Sequence, residues 1–165
     1  MKPRIIQFIA ILSLTGFTSS CTRVTPAGFW TTYHKDMILT KNSNQGLWGG
    51  RREIYWQSAT KNTFTARELI EFAKKNDWKL VDTITISANT VTLKRISALI
   101  NEDYSLELLK QEIIPNIDSG SNKVYVFKTT WLAVEPGNNR ETFENGFALI
   151  NSAGTELRIN HIWGE

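Results

Sequence analysis

Cysteine is nearly absent from this chain. Cys21 is the only one among 165 residues. An internal disulfide and a cysteine-built metal cluster are therefore both excluded. Histidine is almost as scarce, with His34 and His161 alone. Neither lies in a His-Glu-x-x-His or similar ligand spacing, so nothing in the sequence points to a metal site. No Gly-x-Ser-x-Gly elbow marks a serine nucleophile. The Gly-Leu-Trp-Gly-Gly stretch at 46–50 lacks the following Lys-Ser/Thr of a phosphate loop. No alternating Asp/Asn run suggests a calcium loop. Internal repeats and low-complexity tracts are also missing. There is no basic stripe interleaved with aromatics, which speaks against nucleic acid as a partner. Without Lys2 and Arg4, 17 basic residues face 16 acidic ones, so the rest of the chain is nearly neutral.

The N-terminus is the most informative stretch. Lys2 and Arg4 give a positive start. Ile5 to Phe17 follows as an uncharged, mostly apolar run of 13 residues. Thr18, Ser19 and Ser20 are small, and Cys21 comes next. A positive, an apolar and a small-residue region in that order form a secretory signal. The apolar run is short of the roughly 20 residues that a spanning helix needs. Thr-Ser-Ser-Cys at 18–21 resembles the processing site of a bacterial lipoprotein precursor, with Thr18 where that class usually carries a leucine-like residue. The resemblance implies cleavage before Cys21 and acylation of its thiol and new amino group. Thr22 stands where Asp would favour retention at the inner membrane, so the resemblance implies the outer membrane. Cleavage after Ser20 without acylation would instead give a soluble periplasmic protein.

The expected organisation is a signal peptide at 1–20, a lipidated tether at 21–28 and one globular domain at 29–165. Helical periodicity is clearest from Ala66 to Lys75. Thr65 and Glu68 have capping-box spacing, and Phe64 and Leu69 have hydrophobic-staple spacing. A second helix is expected at about 105–114, where Leu106, Leu109 and Ile113 recur before Pro115. Aromatics and threonines suggest an early strand over 29–40, and the Asn/Ser/Gly content of 41–50 suggests a loop. Trp78, Leu80, Ile84 and Ile86 alternate as one face of a strand, with 91–96 as its hairpin return. Residues 124–134, 142–151 and 157–163 read as a C-terminal three-stranded meander. The expected class is α+β, an antiparallel sheet with at least two packed helices at about 65–76 and 105–114.

Candidate functional residues are few. His161 falls on the apolar face of the last strand, as a packed imidazole would. Ser119 reads as a turn former. Glu102-Asp103 and Glu141/Glu144 read as solvated loop or edge residues rather than an acid/base pair. The compositional excess is in Trp30, Trp48, Trp56, Trp78, Trp131 and Trp163. Core packing accounts for Trp78 and Trp163 by alternation. Trp48 sits instead in the Gly-rich stretch, with Arg51 and Arg52 behind it, and Trp with Arg is a typical interface anchor. The expectation is a non-enzymatic envelope domain without cofactor or metal. It is membrane-tethered through lipid on Cys21 and binds another envelope protein in an inhibitory, immunity-like or assembly role. The alternatives are a cell-wall glycan binder using exposed tryptophans, and a hydrolase assembled from His34, His161 and a carboxylate.

Overall fold

The computed structural model describes residues 26–34, 38–45, 49–58, 63–87, 116–131, 133–134, 141–142 and 144–164. Cys21, Trp48 and the expected helix at 105–114 lie outside these residues, as does the expected return strand at 91–96.

A short 3-10 helix at Gly28–Thr32 leads into β1, Ile38–Gln45, and β2, Gly49–Gln57. Helix α1, Ala66–Lys75, follows, then β3, Lys79–Ser87, and β4, Ser121–Lys128. Two short strands, β5 (Ala133–Val134) and β6 (Glu141–Thr142), precede β7, Gly146–Ile150, and β8, Glu156–Gly164. Six strands form one antiparallel sheet in the order β1-β2-β8-β7-β4-β3, and β5 pairs with β6 apart from it.

This mostly-β architecture overturns the expected α+β class with two packed helices. Among the described residues α1 is the one α-helix. Much of the difference lies in 29–50. Phe29 and Trp30 belong to the 3-10 helix rather than a strand, and residues 41–45 continue β1 where a loop was expected. β1 is the edge strand of the sheet, and the polar run Lys41 to Gln45 takes its order from backbone pairing with β2.

Helix α1 forms where its end signals lie. The Thr65 hydroxyl oxygen accepts the Glu68 N–H at 3.3 Å and its O–H donates to the Glu68 carboxylate at 2.7 Å. Phe64 and Leu69 are both buried, as a staple requires. At the other end Asp77 adopts a left-handed φ of 65°, and the Trp78 N–H bonds back to the Ala73 carbonyl at 3.0 Å. That tight reversal drops Trp78 straight into the core.

The sheet has two unlike faces. On the helix side lie Ile54, Trp56, Tyr125, Phe127, Ala148, Ile150, Leu157 and Ile159, packed with Trp30, Leu69, Ala73 and Trp78. On the other side Ile84, Ile86, Val124, Val126, Phe147 and Leu149 form a second cluster. β7 contributes to both and is buried at all its positions. β3 corrects the expected alternation. A bulge between Leu80 and Asp82 shifts its register, so Leu80 pairs with Phe127 of the helix side while Ile84 pairs with Val124 of the other. Trp78 and Ile84 therefore serve opposite cores, and Leu80 and Val81 both stay exposed.

Gly146 lets Trp78 lie against β7. A Cβ there would stand 2.6 Å from Trp78 Cζ3 and 2.8 Å from Thr129 Cγ2. Gly146→Ala should lower unfolding free energy by about 1–3 kcal/mol through overpacking. Urea denaturation checks this, and an unchanged midpoint would show that the ring has room to move.

Candidate functional site

Of the sequence-predicted binding residues Trp48, Arg51 and Arg52, the first lies outside the described residues and the other two do not share one surface. Arg51 and Arg52 are neighbours on β2 and so point to opposite faces. Arg51 is half-exposed and lies 3.9 Å from Glu53, which Arg158 approaches to 3.7 Å. Arg158 in turn covers the Tyr55 ring at 4.0 Å. This is a solvated cross-strand set of modest worth. Arg52 is only 4 % exposed and pairs across the sheet with His161. It cannot meet a partner at the surface.

The two histidines occupy separate aromatic settings. His34 packs on Tyr33 and Phe64, and its carbonyl accepts the Trp56 indole N–H at 2.9 Å. His161 is 0 % exposed, stacked on Trp163 and tilted against Trp78. A sealed imidazole offers no access to a substrate, so the geometry gives the hydrolase reading no support. Among the described residues no group of His, Cys, Asp and Glu is arranged to hold a metal. Asp118 and Ser119 belong to a tight loop. The Asp118 carboxylate accepts from Gly120 N, Asn122 Nδ2, Ser152 N and Ser152 Oγ, bonds that hold it below the usual carboxylate range although burial opposes them.

Four of the tryptophans, Trp30, Trp56, Trp78 and Trp163, are buried. Trp131 is 37 % exposed, and Leu80 and Val81 are 39 % and 46 % exposed. These are the exposed large hydrophobics among the described residues. They occur at one end of the sheet. β4 finishes at Lys128, whose cross-strand partner is Lys79 at the start of β3. Trp131 leaves that end three residues later. Gly49, which follows Trp48, pairs with Gly164 at this same end.

A buried polar cluster fixes the Trp131 backbone. Asn145 Nδ2 donates to the Trp131 carbonyl at 2.8 Å and to the Ile162 carbonyl at 2.6 Å. Asn145 Oδ1 accepts the Thr129 hydroxyl at 2.6 Å. Thr129 Oγ1 also lies 2.9 Å from the Trp131 carbonyl, so its one proton serves these two acceptors, and its lone pairs face the Trp131 N–H at 3.2 Å and His161 Nε2 at 3.3 Å. His161 must then carry its proton on Nε2, which leaves Nδ1 bare. Nδ1 is buried without a hydrogen bond, the cheaper outcome for an acceptor than for a donor. Burial first, and the Arg52 charge second, push the imidazole pKa down to about 3, so the ring stays neutral.

This site is not legible in the sequence. Residues 124–134 read as one strand, and no Gly or Pro marks the exit at Thr129. The one available signal is the Thr-Thr-Trp run, whose hydroxyls can bond locally in place of the ladder.

Protein-family models, curated proteins and solved structures yield no match to this chain.

Stability should depend on pH through His161. The unfolded imidazole takes up its proton near 6.5 and the folded one near about 3. Between those values the unfolded state binds more protons, so stability falls as the pH falls. The loss is up to about 1.4 kcal/mol per pH unit. Urea midpoints measured across this window should show that slope, and His161→Phe should flatten it at the upper end, above the acid range where the depressed Asp118 carboxylate also contributes. An identical slope in the variant would assign it to other groups.

Proposed function

We propose that this chain is an exported lipoprotein, held on the periplasmic side of the outer membrane by lipid on Cys21, whose domain binds another envelope protein and is not an enzyme. The observation that carries the binding role is Trp131. A large aromatic stands exposed at the end of the sheet that also carries Leu80 and Val81, on backbone fixed by Asn145 and Thr129. Rigid aromatic anchors lose little entropy on association and supply a large share of interface energy. Trp48 is a second anchor in this reading, with Gly49 at the same end of the sheet. Arg51 can contribute a rim charge, whereas Arg52 acts inside the fold. The anchoring role rests on the charged, apolar and small-residue order of residues 1–20 and on Cys21 as the only thiol. Two or more acyl chains suffice for stable attachment without any surface contribution from the domain. Among the described residues no helix is long and apolar enough to cross a membrane.

A photo-crosslinking amino acid placed at position 131 of the full chain in cells tests the binding role. Adducts to one discrete envelope protein are expected there and not at position 74, on the exposed face of α1. Equal labelling at the two positions, or none, contradicts it. Trp131-dependent sedimentation with purified peptidoglycan would transfer the site to the glycan reading. In the same cells Cys21→Ser should stop palmitate incorporation and release the chain from membranes, and unchanged fractionation would refute the anchor.

A further inference from the structure

The end of the sheet opposite Trp131 holds a pocket of about 230 Å³. That is the volume of about seven or eight waters. It is small for a drug-sized ligand and suits a compact metabolite. One wall is β4. Ser121, Lys123 and Tyr125 are alternate residues and share its helix-side face. The facing wall is the entry to α1, with Thr63, Phe64 and Ala66, and the turn at 151–154 closes the floor. The Phe64 N–H donates to the Gly154 carbonyl at 2.7 Å, which joins floor to wall. Gly154 adopts φ +70° and packs against Thr63, so the turn fits closely under the helix entry.

Two polar side chains of the lining, Asn151 and Ser152, are already committed. Asn151 Oδ1 accepts from Thr155 N and Glu156 N, and Ser152 Oγ donates to Asp118. Tyr125 is different. It is 2 % exposed and lines the pocket, and no described residue bonds its hydroxyl. The side chain is buried but its hydroxyl is not sealed, so it stands open to a molecule in the cavity. Lys123 stands about 6.6 Å along the same strand face. Ala66 is the first residue of α1, where backbone N–H groups and the helix dipole favour negative charge. Phe64 and Ile150 add apolar wall between these donors.

We propose that this pocket binds the carboxylate of a small organic acid, with Lys123 and the Tyr125 hydroxyl as its side-chain donors. The acid's short apolar body lies against Phe64 and Ile150. Asp118 flanks the pocket through its bond to Ser152. Its charge disfavours a dianion, which separates a carboxylate from phosphate. Burial raises the Tyr125 pKa, so the phenol keeps its proton and acts as a donor.

Amide NMR titration of the full chain in detergent micelles tests this, with propionate, propionamide and inorganic phosphate as probes. Propionate should shift the Ala66, Ser152 and Gly154 amides saturably, and the other two probes should not. Lys123→Met should weaken propionate binding about tenfold and Tyr125→Phe about threefold. Both substitutions keep the side-chain bulk, and unchanged amide spectra away from the pocket show that the fold persists. The proposal is overturned if propionate gives no saturable shift, if propionamide or phosphate binds equally well, or if neither variant alters the affinity.

Discussion

One buried side-chain amide, that of Asn145, holds the exposed end of this protein in shape. Its two donors satisfy the Trp131 and Ile162 carbonyls, and its oxygen receives the Thr129 proton. The Asn145 carbonyl in turn accepts the Ile162 N–H at 3.2 Å. Each of these backbone groups would cost about 1–3 kcal/mol if it were buried unpaired. The cluster also decides the His161 tautomer, because the Asn145 and Trp131 carbonyl oxygens draw the Thr129 hydroxyl proton away from the ring. A neutral, Nε2-protonated imidazole between Trp78 and Trp163 then packs as an aromatic with one polar edge.

The sheet places two different surfaces at its opposite ends. β7 lies between them, buried on both faces, and couples the helix-side core to the second cluster. At one end the strand termini present Trp131, Leu80 and Val81. At the other the entry to α1 and the 151–154 turn enclose the pocket with Lys123 and Tyr125. α1 spans the distance between the two ends. Its cap borders the pocket, and its C-terminal reversal at Asp77 delivers Trp78 beneath the Trp131 end.

The sequence made some of this legible and hid the rest, for physical reasons. The α1 boundaries could be read because Thr65, Glu68, Phe64 and Leu69 act locally, and local signals survive in sequence. The alternation of Leu157, Ile159, His161 and Trp163 likewise reports a strand with one buried face. β1 was hidden because an edge strand needs no apolar pattern, and Lys41 to Gln45 look like loop residues. β3 was misread because a bulge at 80–82 breaks the period of two on which alternation rests. The end of β4 was hidden because Thr129 stops the ladder through a tertiary bond to Asn145, sixteen residues away. Arg51 and Arg52 looked equivalent, and only the strand geometry of β2 separates a surface cation from a buried one.

Nitrogen-15 NMR of the His161 ring measures the central arrangement most directly. A neutral imidazole with its proton on Nε2 and a bare Nδ1 is predicted, and it should persist on acidification until the pH approaches about 3. A ring protonated on Nδ1, or one that titrates near 6.5, would contradict the account of how the Trp131 end is built.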